Sequence, residues 1–369
     1  MAEAESDASP RLTADLIGHG DAEAALLQAW AGGRPHHAWL VTGPQGIGKA
    51  TLAYRFARFM LLHGEHKGGA VPASLAVAAD APLFRRVASG GHSDLLTLER
   101  GVDAKGKPRP VIPVEDVRRV ADFLHRTALE GGWRIVVVDS ADDLNRHGAN
   151  ALLKILEEPP RRAMLLLVCH SPGRLPATIL SRCRRLTLRA LDPDLAERVV
   201  AAHAPGLAPA DARLLARIAD GRPGYALQLG GRGGIALLRD LVGLCETLPD
   251  LDLARTHDLA DRFGGPAGQE AFAVFRGLFL WWLARVIRLG ASHAPSHAAE
   301  HLDLVPGEAA LIARLGAAAR LDRWLDLWEK TGRLFDRGEA VNLDRRQVVL
   351  DALLALRTVV RPARAAASR

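Results

Sequence analysis

The stretch HAWLVTGPQGIGKATLAYRFARFMLL, residues 37–62, limits what this chain can fold into more than any other. A short apolar run ends at a glycine-rich turn, and the turn opens into apolar residues at helical spacing. The turn follows the phosphate-loop pattern G-x-x-x-x-G-K-[ST] at Gly43, Gly48 and Lys49, with Gly46 between them. Glycines let successive backbone N–H groups turn inward as an anion nest, and the helix behind adds the positive end of its dipole. Lys49 is placed to reach a β- or γ-phosphate. A chance glycine turn would not account for the lysine and the strand-to-helix setting together. Ala50, however, stands where a Ser or Thr hydroxyl normally ligates Mg²⁺. Thr51 comes one residue later, which on a helix rotates its side chain about 100° away, so it is a doubtful substitute.

Strands alternate with helices over residues 35–190, which predicts an α/β domain with a parallel sheet. The runs WRIVVVD and AMLLLVCH are apolar throughout, as strands covered on both faces must be. The pattern predicts helices over 112–129 and GANALLKILEE, the latter stopped by Pro159 and Pro160. Residues 63–92 carry no clear period, and 101–110 read as a basic, turn-rich loop. From about residue 192 the pattern is helical only. The expected organisation is a disordered tail over 1–12, a phosphate-loop domain over 13–191, a small helical lid over 192–262 and a helical domain over 263–369. The 369 residues exceed what one ordinary core fills.

Composition excludes several classes. The run AFAVFRGLFLWWLARVIRLG is broken by Arg276, Arg285 and Arg288, so it makes a poor membrane span and a good buried helix. The MAEAESDASPRL start is too acidic for a signal peptide. Cys169, Cys183 and Cys245 are far apart, which argues against a disulfide framework and fits the cytoplasm. Net charge is +6, but only six of the 48 basic residues are Lys, so the arginine excess reads as a composition bias and says little about nucleic acid.

The second motif is VVVDSADD. Asp139, at a strand end, occupies the place of the aspartate that orients Mg²⁺ in P-loop ATPases. The glutamate that should follow, to polarise the attacking water, is replaced by Ser140. A serine needs a partner to act as a base. Asp142 and Asp143 read as a solvated helix start, where acids favour the dipole.

LVTGPQGIGKATLAYRFARF, GGWRIVVVDSADDLN, ANALLKILEEPP and RLPATILSRCRRL occur in this order at compatible spacing. Together they resemble the clamp-loader branch of the AAA+ family, strongly over residues 15–190 and weakly beyond. The resemblance implies an AAA+ P-loop domain, a helical lid and a C-terminal helical collar that oligomerises a five-subunit ring. That ring loads a sliding clamp onto primed DNA during replication. Its partners would be the motor (tau/gamma) and delta subunits, with clamp and DNA reached through the complex and no membrane involved. Motor subunits carry a further arginine in a G-S-x-R-D-A-L pattern; the matching GRPGYALQL puts Gly224 there, with Arg222 at another helical angle.

Three losses, at Ala50, Ser140 and Gly224, point to a subunit that does not hydrolyse ATP. In the family such a subunit lends an arginine from its S-R-C motif to a neighbour's ATP site. Here the motif is Ser181, Arg182 and Cys183, so Arg182 is the candidate finger acting in trans. A guanidinium is always charged, and its planar fork matches phosphate oxygens. The other reading of Arg182 is a solvated arginine beside Arg184 and Arg185. Gly43, Gly46, Gly48, Lys49, Thr51 and Asp139 remain as a degenerate nucleotide site. No cofactor is then required, and weak ATP or ADP binding stays open. A four-cysteine zinc module common in the family has no cysteine here between residues 61 and 132, and His63, His66 and His92 read as surface residues, so no zinc is expected. Two competing functions are an active AAA+ motor ATPase and a small-metabolite P-loop kinase. The S-R-C and LEEPP motifs have no role in the kinase.

Overall fold

A computed structural model describes residues 9–103, 109–130, 132–265, 268–291 and 303–361. The chain folds as two compact units, one of residues 1–207 with 219–227 and one of 208–218 with 228–369.

The first unit holds the sheet. Its elements are α1 (Gly20–Ala31), β1 (Ala38–Thr42), α2 (Lys49–His63), α3 (Pro82–Ala88), β2 (Leu95–Glu99), α4 (Val114–His125), β3 (Arg134–Asp139), α5 (Arg146–Glu157), β4 (Ala163–Cys169), α6 (Ala177–Leu180), β5 (Arg184–Thr187) and α7 (Pro193–His203). The five strands are all parallel, in the order β2-β3-β4-β1-β5. The helices cover both faces, which is why β1 and β4 are buried at every residue. Trp39, Val41, Ile135, Val137, Leu166 and Val168 face the α1–α2–α3 side. Their alternates Leu40, Val136, Val138, Leu165 and Leu167 face α4 and α5. This is the period-two division that a three-layer sandwich imposes.

Two expectations need correction here. The helix expected over 112–129 runs only from Val114 to His125. Beyond it, the Leu129 and Glu130 N–H groups donate to the Asp94 carboxylate, which is 1% exposed, and this holds them out of the helix. The stretch 63–92, which shows no period in sequence, contains α3, a helix too short to display one. Of the expected tail, residues 1–8 lie outside the described residues, while Arg58 donates to the carbonyls of Arg11 and Thr13. Residues 104–108 of the basic loop also lie outside them.

The second unit is helical: α8 (Pro209–Ile218), the end of α9 (Pro223–Gly231), α10 (Gly234–Cys245), α11 (Leu253–Asp261), α12 (Gly268–Ala291), α13 (Glu308–Ala318), α14 (Leu321–Ala340) and α15 (Arg345–Val360). Phe263, Phe275, Phe279 and Phe335 are fully buried and meet edge-on or tilted. Trp282 and Trp324 are buried, and Trp328 is 40% exposed. Among the described residues no helix is long and apolar enough to cross a membrane.

Candidate functional site

The phosphate loop lies between β1 and α2, with Gly43, Gly46 and Gly48 at φ of 141°, 81° and 100°. Those values exclude most side chains, and so does space. A Cβ on Gly43 would lie 2.4 Å from Leu188 O, and one on Gly46 would lie 2.5 Å from Tyr225 N. Four of the loop carbonyls are engaged. Lys49 Nζ donates to Gly43 O and Pro44 O at 2.8 and 2.6 Å. Gly224 N donates to Gly46 O at 2.7 Å, and His19 Nε2 to Ile47 O at 2.7 Å. The N–H groups of residues 45–51, by contrast, meet no acceptor among the described residues. The loop therefore keeps its N–H donors free, as an anion nest requires.

Lys49 is 3% exposed, and burial pulls its pKa down to about 8 even though Asp139 and Asp142 oppose the shift. Asp139 ends β3 in register with Glu99 of β2. Burial, then Glu99, push its pKa up to about 6, against the pull of Lys49. With alanine at position 50, the oxygen that a Ser or Thr there would offer a divalent cation is missing. Thr51, half-buried in the first turn of α2, is the remaining hydroxyl there. The donor set thus suits a phosphate and is one oxygen short for its magnesium.

Ser140 has the partner that the sequence does not disclose. Its Oγ lies 2.7 Å from His170 Nε2, just past the end of β4. Burial and the Lys49 cation both lower the His170 pKa, so the ring is neutral and can accept the hydroxyl proton. Asp142 is not a solvated helix-start acid. It is 7% exposed and accepts the N–H groups of His170 and Ser171 at 3.0 and 3.1 Å. Burial pushes its pKa up, but those donors outweigh burial and hold it below the usual range. Asp142 therefore laces the ends of β3 and β4 together. His92 is likewise buried, at 4% exposure, and its Nδ1 accepts the Asp94 N–H; His63 is exposed and His66 half-buried against Trp30. No group of His, Cys, Asp and Glu among the described residues could hold a metal ion.

Gly224, in α9, packs its backbone on the loop, and a Cβ there would lie 3.0 Å from Gly46 O. Arg222 is engaged elsewhere: its Nε donates to Ala219 O, and its guanidinium covers the Tyr225 ring. Arg182 follows the one-turn helix α6. Ser181 Oγ donates to Thr178 O, and Cys183 packs into the α4–α5 side of the core with its pKa pushed up to about 12 by burial. Between these anchors the Arg182 side chain is 37% exposed. Arg184 and Arg185 are exposed, with Arg184 over the Trp39 ring. Arg182 belongs to the β5 side of the sheet and is not part of the Lys49–Asp139–Ser140–His170 cluster.

Residues 18–192 match the family described as DNA polymerase III, delta subunit. The chain is 33% identical over 224 residues to the DNA polymerase III subunit tau of Salmonella typhimurium, covering 60% of this chain and 33% of that protein. It is 38% identical over 159 residues to the DNA polymerase III subunit delta-prime of Pseudomonas aeruginosa, covering 42% of this chain and 45% of that one. A DNA polymerase III gamma subunit-related protein of Thermotoga maritima superposes with a TM-score of 0.41 at 17% identity, covering 92% of this chain and 99% of that one, too loosely to carry argument. The aligned part thus spans a third to a half of the length of these two polymerase subunits. Over its sheet-bearing unit the chain is thus similar to the DNA polymerase III delta-subunit family and to the tau and delta-prime subunits of that polymerase.

Proposed function

We propose that this chain is a non-hydrolysing clamp-loader subunit of delta-prime type. It would help load the sliding clamp onto primed DNA in the cytoplasm and lend Arg182 to the ATP site of a neighbouring tau/gamma motor subunit. The observation that carries the reading is the packing of Gly224 on Gly46. Backbone crowds the position from which an arginine at 224 would have to reach the phosphate, a third loss in a site already lacking a hydroxyl at Ala50 and a carboxylate at Ser140. The chain's own site then holds ATP or ADP weakly, through the donor nest alone, and requires no cofactor. Its contribution is an arginine on a rigid turn, which stabilises charge on a transferring phosphoryl group without moving. The delta subunit is the other direct partner, and clamp and DNA are reached through the assembly.

One observation favours the alternative of an active motor: the neutral His170 beside Ser140 could accept a proton relayed from water. ATP turnover by the purified chain, alone and then with its motor and delta partners, decides between them. We expect none alone. In the mixture, Arg182→Ala should cost the site it completes about 10³-fold in turnover, the scale of a finger supplied in trans. Turnover by the chain alone, lost in Ser140→Ala, would overturn the reading.

A further inference from the structure

The LEEPP motif has no part in the function above, yet its first glutamate touches the candidate finger. Glu157 Oε1 lies 2.9 Å from Arg182 Nη2. Glu157 is the last residue of α5, and an acid at a helix C-terminus is disfavoured by the dipole unless a cation answers it. The end of α5 is itself fixed. His37 Nε2 donates to Leu156 O at 3.2 Å, and Pro159 and Pro160 stop the helix immediately after. On the other side, Arg182 Nη1 donates to Thr178 O at 3.0 Å, and the Arg182 N–H donates to Ile179 O at 3.1 Å. The guanidinium is thus held at two points from two elements. Its Nε–H has no partner among the described residues and is left for another acceptor.

We propose that Glu157 is a positioning residue for Arg182. Its carboxylate, carried on the rigid end of α5, holds the Nη2 end of the guanidinium so that its Nε–H side is presented to the neighbour's phosphate without a search through rotamers. Holding a long side chain in one geometry before the reaction lowers the entropy lost when charge develops on the phosphoryl group. Arginine suits this use because its planar fork can engage a carboxylate and a phosphate from different sides.

The proposal rests on the finger reading, and the experiment separates the two. Glu157→Ala, Arg182→Ala and the double variant are assembled with the motor and delta partners, and kcat and KM for ATP are measured with clamp and primed DNA. Circular dichroism and melting temperature check that each variant folds, and Glu157→Asp and Glu157→Gln test for partial rescue. We expect Glu157→Ala to lower kcat about 2- to 5-fold, the scale of an exposed ion pair, with KM unchanged. In the Arg182→Ala background it should cost nothing further, because the group it positions is gone. If Arg182→Ala lowers kcat but Glu157→Ala leaves it unchanged or raises it, or adds an equal loss in the double variant, the positioning role is overturned and the finger stands. If Arg182→Ala itself changes nothing, both are overturned.

Discussion

Asp139 is held in a state that the fold disfavours, and replacing it with asparagine should stabilise the protein. Its carboxyl titrates at about 6, against 3.8 when unperturbed, because it is buried and faces Glu99 across the β2–β3 ladder. Between those two values the folded protein binds more protons than the unfolded chain, so stability falls as pH rises through the window. At neutral pH the full penalty is present: a shift of about two units corresponds to about 3 kcal/mol. Asparagine keeps the shape and the contact with Ser140 but carries no charge. It also deprives Lys49 of a counter-charge, and that ammonium is already held down to about 8 by burial. Allowing for that loss, the net gain for Asp139→Asn at pH 7.5 should be about 1–2 kcal/mol, or roughly 3–6 °C in Tm for a unit of this size. Scanning calorimetry at pH 7.5, 6 and 5 reads it directly. The gain must shrink as pH falls below 6 and be nearly gone by about pH 3, where Asp139 is protonated in the folded state and largely so in the unfolded chain. A gain that stays constant with pH, or a loss at pH 7.5, would refute the electrostatic argument.

Gly46→Ala should lower stability by about 2–4 kcal/mol, from a left-handed backbone forced on alanine and loss of the Gly224 hydrogen bond; thermal melting measures it. Asp142→Ala should cost about 2–4 kcal/mol, because the two hydrogen bonds that its charged carboxylate accepts from the His170 and Ser171 N–H groups are lost. Asp142→Asn, which keeps one carbonyl oxygen, should lose less, and a comparison of the two melting temperatures checks this.

The parts legible in the sequence were those whose cause is local. Runs such as IVVV and MLLLV have one physical solution in a chain that alternates with helices, so the strands and their parallel pairing followed from composition and order. The three glycines of the loop were legible because each needs a conformation that only glycine adopts readily. The parts not legible depend on partners distant in sequence. Asp142 looks like a solvated acid until the N–H groups 28 and 29 residues later are brought to it. His92 looks like a surface histidine for the same reason, since burial by the fold leaves no mark on its neighbours. Ser140 and His170 stand 30 residues apart, and no spacing rule links a residue after one strand to a residue after another. A strand order placing β3 beside β4 would have been the only warning.

On the proposed reading, the site keeps the shape of a nucleotide fold without its chemistry. An anion nest requires only that backbone donors converge, and the glycines and the β1-to-α2 turn secure that whatever occupies position 50. Metal binding and water activation require particular oxygens, and these are absent or altered at Ala50 and Ser140. Once an arginine at position 224 is no longer needed, its Cβ can be dispensed with as well, and α9 can close onto Gly46 by a direct backbone bond. That bond, with His19 and Lys49 on the remaining carbonyls, ties the loop to the elements around it. On the proposed reading, a subunit that works by presenting Arg182 gains from having this region fixed. The same packing that argues against turnover in this chain therefore favours the rigidity that a finger acting on a neighbour requires.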